Sequence, residues 1–175
     1  MPGLPREEMK MDENIKFSRI WAMPNKRTFS IPPIAKFISR RLSVSQNSCD
    51  PFCGDTLLTK YRNDIRYSGI PSEIWLKQLA SESMDLVLYD APYSPRQLKE
   101  CYDDIGASLH DTKSSVWKVW KEEIARITSK DGVVLSFGWQ SSGIGKSLGF
   151  KIEEILLVPH GGNHHDTICV AERKL

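Results

Sequence analysis

Apolar residues Ile34, Phe37, Ile38 and Leu42 recur at helical spacing after Phe29-Ser30-Ile31-Pro32-Pro33, which predicts a helix running to about Arg41 with Pro33 in its first turn. The polar stretch 43–48 breaks that period. Cys49-Asp50-Pro51-Phe52-Cys53-Gly54 then reads as the end of a short strand followed by a glycine-bearing turn. A second strand is predicted over Leu57 to Tyr61, closed by Asn63-Asp64. Ile74, Trp75 and Leu79 form one face of a helix over 72–79, with Ser72 as its cap. Leu86-Val87-Leu88-Tyr89 is a continuous apolar run behind the polar Ser81-Glu82-Ser83, the pattern of a strand covered on both faces of a parallel sheet.

Ser94-Pro95 opens a further helix through Leu98, Cys101 and Tyr102. Beyond a polar break over 111–115, Val116, Trp117, Trp120, Ile124 and Ile127 mark an amphipathic helix expected to end near Lys130-Asp131-Gly132. Val133 to Phe137 is again apolar throughout. A short turn or helix over 143–149 leads to strands over 152–158 and 167–171, joined by the loop 159–166. Strands alternating with helices, closed by two strands with no helix between them, predict an α/β sandwich ending in an antiparallel hairpin.

The chain has 175 residues, which favours one domain, expected over 17–175 behind a solvated tail over 1–16. That tail mixes Pro2, Pro5 and four acidic residues with lysines and lacks the apolar centre of a targeting peptide. No run approaches the roughly 20 apolar residues of a membrane span, and the mean hydropathy is -0.37. The expected location is cytoplasmic. Cys49, Cys53, Cys101 and Cys169 form no C-x-x-C pair and are expected to be reduced. A formal charge of +2 permits a nucleic-acid partner without implying one.

The candidate chemistry lies at the end of the apolar run 86–89. Asp90-Ala91-Pro92-Tyr93 places a carboxylate, a rigid turn and an aromatic ring at one point on a sheet's rim, an arrangement suited to a nucleobase carrying an amino group. A strand-ending turn is the plainer account of the same four residues. His160, His164, His165 and Asp166 invite comparison with a metal cluster. Adjacent residues on a strand send their side chains to opposite faces, however, so no metal is expected, and a loop touching the target or a plain surface turn is the better reading. Lys36, Arg40, Arg41, Arg96 and Lys99 are either phosphate contacts or solvated helix faces.

Taken together, Ile20-Trp21-Ala22-Met23-Pro24-Asn25-Lys26, the segment 88–102 and His160-Gly161-Gly162-Asn163-His164-His165-Asp166-Thr167-Ile168-Cys169 resemble the phage-type adenine-specific DNA methylases, a group of S-adenosylmethionine-dependent amino-methyltransferases. The resemblance spans nearly the whole chain from Phe17 to Lys174. It implies a Rossmann-like, mostly parallel seven-stranded sheet with one reversed strand. It also implies S-adenosylmethionine as cofactor and DNA as partner, with a homodimer or a separate recognition partner helping to grip the duplex. Asp90, Ala91, Pro92 and Tyr93 would then be the catalytic loop. Asp50, Phe52 and Gly54 would match the first cofactor motif, Asp64 the ribose-binding acid, and Ser30 and Ile31 the helix-opening motif beside the methionine moiety.

Three departures accompany the resemblance. Ala91 stands where the family has proline, Asp55-Thr56 follows Gly54 where a second glycine is usual, and Pro71 replaces an aspartate that opens the helix at Ser72-Glu73. They leave open a weakened methyltransferase-like subunit that binds nucleic acid or a partner, and an enzyme for RNA or a small amine.

Overall fold

Pairing in the sheet follows from which strands can be covered on both faces, and the computed structural model describes it through residues 15–103 and 115–175. In chain order the elements are β1 (Lys16–Arg19), α1 (Pro32–Leu42), β2 (Ser48–Asp50), β3 (Tyr61–Arg62), α2 (Ile65–Ser68), α3 (Ser72–Gln78), β4 (Met84–Tyr89), α4 (Pro95–Asp103), α5 (Ser115–Ile127), β5 (Thr128–Gly138), β6 (Phe150–Val158) and β7 (Thr167–Lys174). The strands form one seven-stranded sheet in the order β1-β6-β7-β5-β4-β2-β3. Six run parallel; β7 is reversed between β5 and β6 and forms with β6 the C-terminal antiparallel hairpin. The expected mostly parallel α/β sheet with a terminal hairpin is thus the observed one.

Alternation along the central strands divides the core in two. Leu86, Leu88, Leu135 and Phe137 meet Ile34, Phe37 and Ile38 of α1 on one face. Val87, Tyr89 and Val134 meet Leu76 of α3 and Trp120 and Ile124 of α5 on the other. The buried Glu154 on β6 is held by Arg40 at 3.0 Å and Arg41 at 2.7 Å, which fastens α1 to the sheet. Charge pairing of this kind makes a buried carboxylate tolerable. It also occupies two of the cations considered above as phosphate contacts.

Several elements differ from expectation. The strand expected over 57–61 is instead β3 at Tyr61–Arg62, because Leu57 and Leu58 face solvent, with Leu57 79% exposed, and only Tyr61 and Arg62 pair with Cys49 and Asp50. Helix α5 stops at Ile127. The Thr128 hydroxyl donates to the Ile124 carbonyl at 2.6 Å while Thr128 already pairs with Met84, so Lys130-Asp131-Gly132 lies within β5, where the register with β4 shifts. Asp131 there has φ +62. Pro71, not Ser72, is the residue before α3, and the buried Ser72 hydroxyl donates to the Pro51 carbonyl at 2.8 Å. Strand β1 escaped notice because Lys-Phe-Ser-Arg at a sheet edge carries no apolar alternation. It begins at Lys16, inside the expected tail, whose first 14 residues lie outside the described residues, as do the residues 111–114 of the expected polar break.

Candidate active site

Six parallel strands deliver their C-terminal ends to one rim, and the loops that leave them carry the polar and aromatic residues singled out above. Strand β4 ends in Asp90. Pro92 fixes the turn, and α4 begins two residues past Tyr93, whose backbone N–H donates to Gln97 Oε1 at 2.8 Å, one helical turn on. The Tyr93 hydroxyl returns across the turn and donates to Asp90 Oδ1 at 2.5 Å. The Trp117 indole N–H donates to the Pro92 carbonyl at 2.9 Å, so α5 braces the same loop from beneath. A carboxylate and a phenol are therefore held in one preformed geometry.

Asp90, Ala91, Pro92 and Tyr93 open on a cavity of about 550 Å³ that Phe52, Gly54, Asp64, Lys26, Thr28 and Trp120 also line. Burial raises the Asp90 carboxyl to about 6, against the lowering pull of the Tyr93 hydrogen bond. The Tyr93 phenol is pushed up by burial and then by the Asp90 charge. Near neutral pH the pair rests as a carboxylate that accepts from a neutral phenol.

Asp50, at the end of β2, is not among the residues that line this cavity. It is fully buried; Oδ1 accepts the Phe52 N–H at 2.9 Å, and Oδ2 has no hydrogen-bond partner among the described residues. Burial, followed by the charges of Asp90 and Asp64, raises it to about 8, with the Phe52 N–H pulling the other way. The stability consequence has a definite sign. Between about pH 4 and 8 the folded chain binds a proton at Asp50 that the unfolded chain releases, so this residue's contribution falls as pH rises through that window. Asp50→Asn keeps the acceptor for Phe52 and removes the titration. Urea unfolding at pH 5, 7 and 9 is expected to give a flatter dependence in the variant, with a relative gain on the order of 1 kcal/mol by pH 9; parallel curves for the two proteins would contradict the burial cost.

Asp64 follows β3 and caps α2. Its Oδ2 accepts the Gly54 N–H at 3.1 Å, and its Oδ1 accepts both the backbone N–H and the Nε–H of Arg66 at 2.9 Å. Burial would raise this carboxyl, but the Arg66 contacts and the Gly54 N–H outweigh it and hold it below the usual range. Gly54 itself has φ +55, and a Cβ there would meet only Arg66 Nη2, at 3.3 Å, so the backbone is laid bare toward the cavity.

Ser30 and Ile31 do not line that cavity. Ser30 is exposed and donates to the Arg27 carbonyl at 2.7 Å, while Ile31 packs in the core beneath α1. Their neighbours Lys26 and Thr28 reach the wall instead. Glu73, next to the absent helix-opening acid, accepts from the Trp120 indole N–H at 3.1 Å.

One rim aromatic, Trp139, carries no motif that marks it in the sequence. Trp139, one residue past β5, packs on Tyr93 at 5.4 Å between ring centres and stacks on His165 at 4.3 Å. Its position after a parallel strand's last residue was the available signal. His160 is structural: Nδ1 meets the Ala22 carbonyl and Nε2 the Thr167 hydroxyl, both at 2.9 Å, locking the 159–166 loop to the segment after β1. Among the described residues no three His, Cys, Asp or Glu side chains group as a metal site, and no helix is long and apolar enough to cross a membrane.

No family model matches the chain, and no curated protein matches it by sequence. Among solved structures it is similar to the 1,6-didemethyltoxoflavin-N1-methyltransferase of Burkholderia thailandensis, with a TM-score of 0.55 at 11% identity over 81% of this chain and 76% of that one. Looser likenesses reach the N-methyltransferase NodS of Bradyrhizobium japonicum WM9 (TM-score 0.43, 10% identity, 80% of this chain and 93% of that one). A protein described as a DNA modification methylase of Thermus thermophilus is looser still (TM-score 0.40, 15% identity, 58% and 51%). The sheet, with its single reversed strand and terminal hairpin, has the Rossmann-like methyltransferase fold.

Proposed function

We propose that the chain transfers a methyl group from S-adenosylmethionine to the exocyclic N6 amine of adenine in DNA. The observation that carries this reading is the hydrogen-bonded Asp90–Tyr93 pair opening on the same 550 Å³ cavity as Phe52, Gly54 and Asp64. S-adenosylmethionine would supply an electrophilic methyl group on a sulfonium, and the chain's task is to align an amine with it.

An aromatic amine donates its lone pair into the ring, so acceptors on both of its hydrogens draw it toward a pyramidal nitrogen. Asp90 Oδ2 supplies one acceptor while Oδ1 is held by Tyr93, and the Ala91 main-chain carbonyl supplies the second, which the family's usual proline would supply equally. The Tyr93 ring offers a stacking face worth about 1–3 kcal/mol to a base.

The donor's fit rests on this chain's own features. Gly54 exposes its backbone, Phe52 and Trp120 give apolar walls, and Asp50 Oδ2, two residues before Phe52, has no partner among the described residues. Asp64 would accept ribose hydroxyls as the exposed Arg66 guanidinium swings away. The Burkholderia thailandensis neighbour, an N1-methyltransferase, holds S-adenosylhomocysteine, which supports a nitrogen acceptor. DNA as partner, a homodimer or separate partner to grip it, and adenine as target rest on the sequence resemblance. Lys26, which lines the cavity, and the exposed His165, stacked on Trp139, stand near the same rim as polar contacts for it.

A second reading, a methyltransferase-like subunit with a weakened donor site, is favoured by Pro71 and by Asp64 having both oxygens engaged. Calorimetric titration of the full chain separates the two. Saturable S-adenosylmethionine binding that weakens about tenfold in Phe52→Ala is expected; absence of heat at millimolar donor would sink the enzyme in favour of the subunit.

A further inference from the structure

We propose that the cavity of about 320 Å³ between α5 and the C-terminal ends of β4 and β5 is a binding site for a small aromatic carboxylate. It lies on the other side of the Ala91-Pro92-Tyr93 turn from the donor cavity and does not depend on the methyl-transfer reading.

The argument begins with two orphaned hydroxyls. Tyr89 and Ser136 are cross-strand partners on β4 and β5, and alternation turns both side chains toward α5. Each residue is only 7% exposed, each lines this cavity, and neither Tyr89 Oη nor Ser136 Oγ has a hydrogen-bond partner among the described residues. A buried hydroxyl without a partner is costly, and two such residues in the lining of one void point to something that fills it.

The third polar group is Lys121 on α5, half-buried on the same wall. Burial holds its ammonium below the ordinary lysine range, against the attraction of Glu172. Glu172 is no substitute for a ligand. Its oxygens accept the Ile144 and Gly145 N–H groups at 2.5 and 3.0 Å, and it reaches the cavity only beneath Gly143, where a Cβ would overlap the carboxylate. Among the described residues no aspartate or glutamate lines the cavity itself. Beside Lys121 the polar side chains of the wall, Tyr89, Ser136, Gln140 and Ser142, are neutral and can each turn a donor inward, so the wall presents one positive charge and no negative one.

The remaining walls decide the rest of the ligand. Tyr93, Trp117 and Trp139 surround the space with rings, which favours a flat scaffold. The volume is at the low end for small-molecule sites, enough for one or two fused rings. A single ammonium balances one negative charge, so a monoanionic carboxylate fits where a phosphomonoester would leave excess charge buried. Two hydroxyl donors and an ammonium satisfy the lone pairs of one carboxylate.

The probe is benzoate, titrated into the full chain and followed by ligand-observed NMR and calorimetry, with benzyl alcohol, uracil and inorganic phosphate as comparators. Benzoate is expected to bind with Kd below roughly 1 mM. Lys121→Met should weaken it at least tenfold, and Tyr89→Phe and Ser136→Ala each about threefold to tenfold. Without ligand, Tyr89→Phe should unfold no earlier than the parent, since its hydroxyl has no partner among the described residues. Asp64→Asn, in the donor cavity and away from this one, should leave benzoate binding intact, which keeps the fate of this site separate from that of the methyl donor. No benzoate binding at roughly 10 mM, binding indifferent to all three substitutions, or equal competition by uracil or phosphate would each overturn the proposal.

Discussion

Asp90→Asn is expected to lower kcat/KM for methyl transfer by about 100-fold to 1000-fold, the range typical of removing one preorganised hydrogen-bonding partner of a transition state. The substitution keeps size and packing. It replaces one carboxylate oxygen by an amide N–H₂ that meets the incoming amine donor to donor, while the other atom can still accept from the Tyr93 hydroxyl. The loss should fall on kcat more than on KM, because the acceptor matters most as the nitrogen becomes pyramidal. The pH profile gives an independent check. With Asp90 raised to about 6 by burial, the acid form dominates below that pH and the acceptor is lost, so the rate should fall about tenfold per unit on the acid side and level off above. Tyr93→Phe removes the hydrogen bond that lowers this pKa, so the acid limb should move to higher pH. An Asp90→Asn enzyme with unchanged kcat/KM and the same acid limb would remove Asp90 from the chemistry.

Trp120→Ala is expected to destabilise the chain by about 3–5 kcal/mol, the range for emptying a buried aromatic position. Trp120 is 1% exposed, packs on Phe52 at 4.7 Å and Trp117 at 5.7 Å, and anchors Glu73 through its indole N–H. The truncation also leaves the Glu73 carboxylate without that donor and opens the wall of the donor cavity. Thermal unfolding should shift down by on the order of 10 °C. Trp120→Phe, which keeps a ring but not the N–H, should lose about 1 kcal/mol. Equal losses in the two variants would mean that the hydrogen bond, rather than the packed ring, holds α5 to α3.

How far the sequence foretold this molecule depended on where each signal originates. Leu86 to Tyr89 and Val133 to Phe137 were readable because a strand covered on both faces must be apolar throughout, and the absence of a helix between β6 and β7 foretold the hairpin. Edge elements were not readable. β1 and β3 are short and exposed, so nothing in Lys-Phe-Ser-Arg or Tyr-Arg distinguishes pairing from coil, and the exposed Leu57 and Leu58 imitated a strand.

At the site, Asp90 to Tyr93 stood out because strand end, turn and ring are contiguous in the chain. The partners that shape it are distant in sequence: Trp117 beneath Pro92, Trp139 against Tyr93 and Trp120 behind Phe52 come together only through the sheet order. The state of Asp50 was equally hidden. Its position after a strand suggested a ligand contact, whereas complete burial, and with it a carboxyl raised to about 8, is a property of the packed core.

The most direct measurement is incubation of the full chain with methyl-labelled S-adenosylmethionine and double-stranded DNA, followed by digestion to nucleosides. Label in N6-methyldeoxyadenosine, abolished or sharply reduced in Asp90→Asn, is the predicted result. Label on cytosine, label undiminished by that substitution, or label carried only by RNA or free small amines would contradict it.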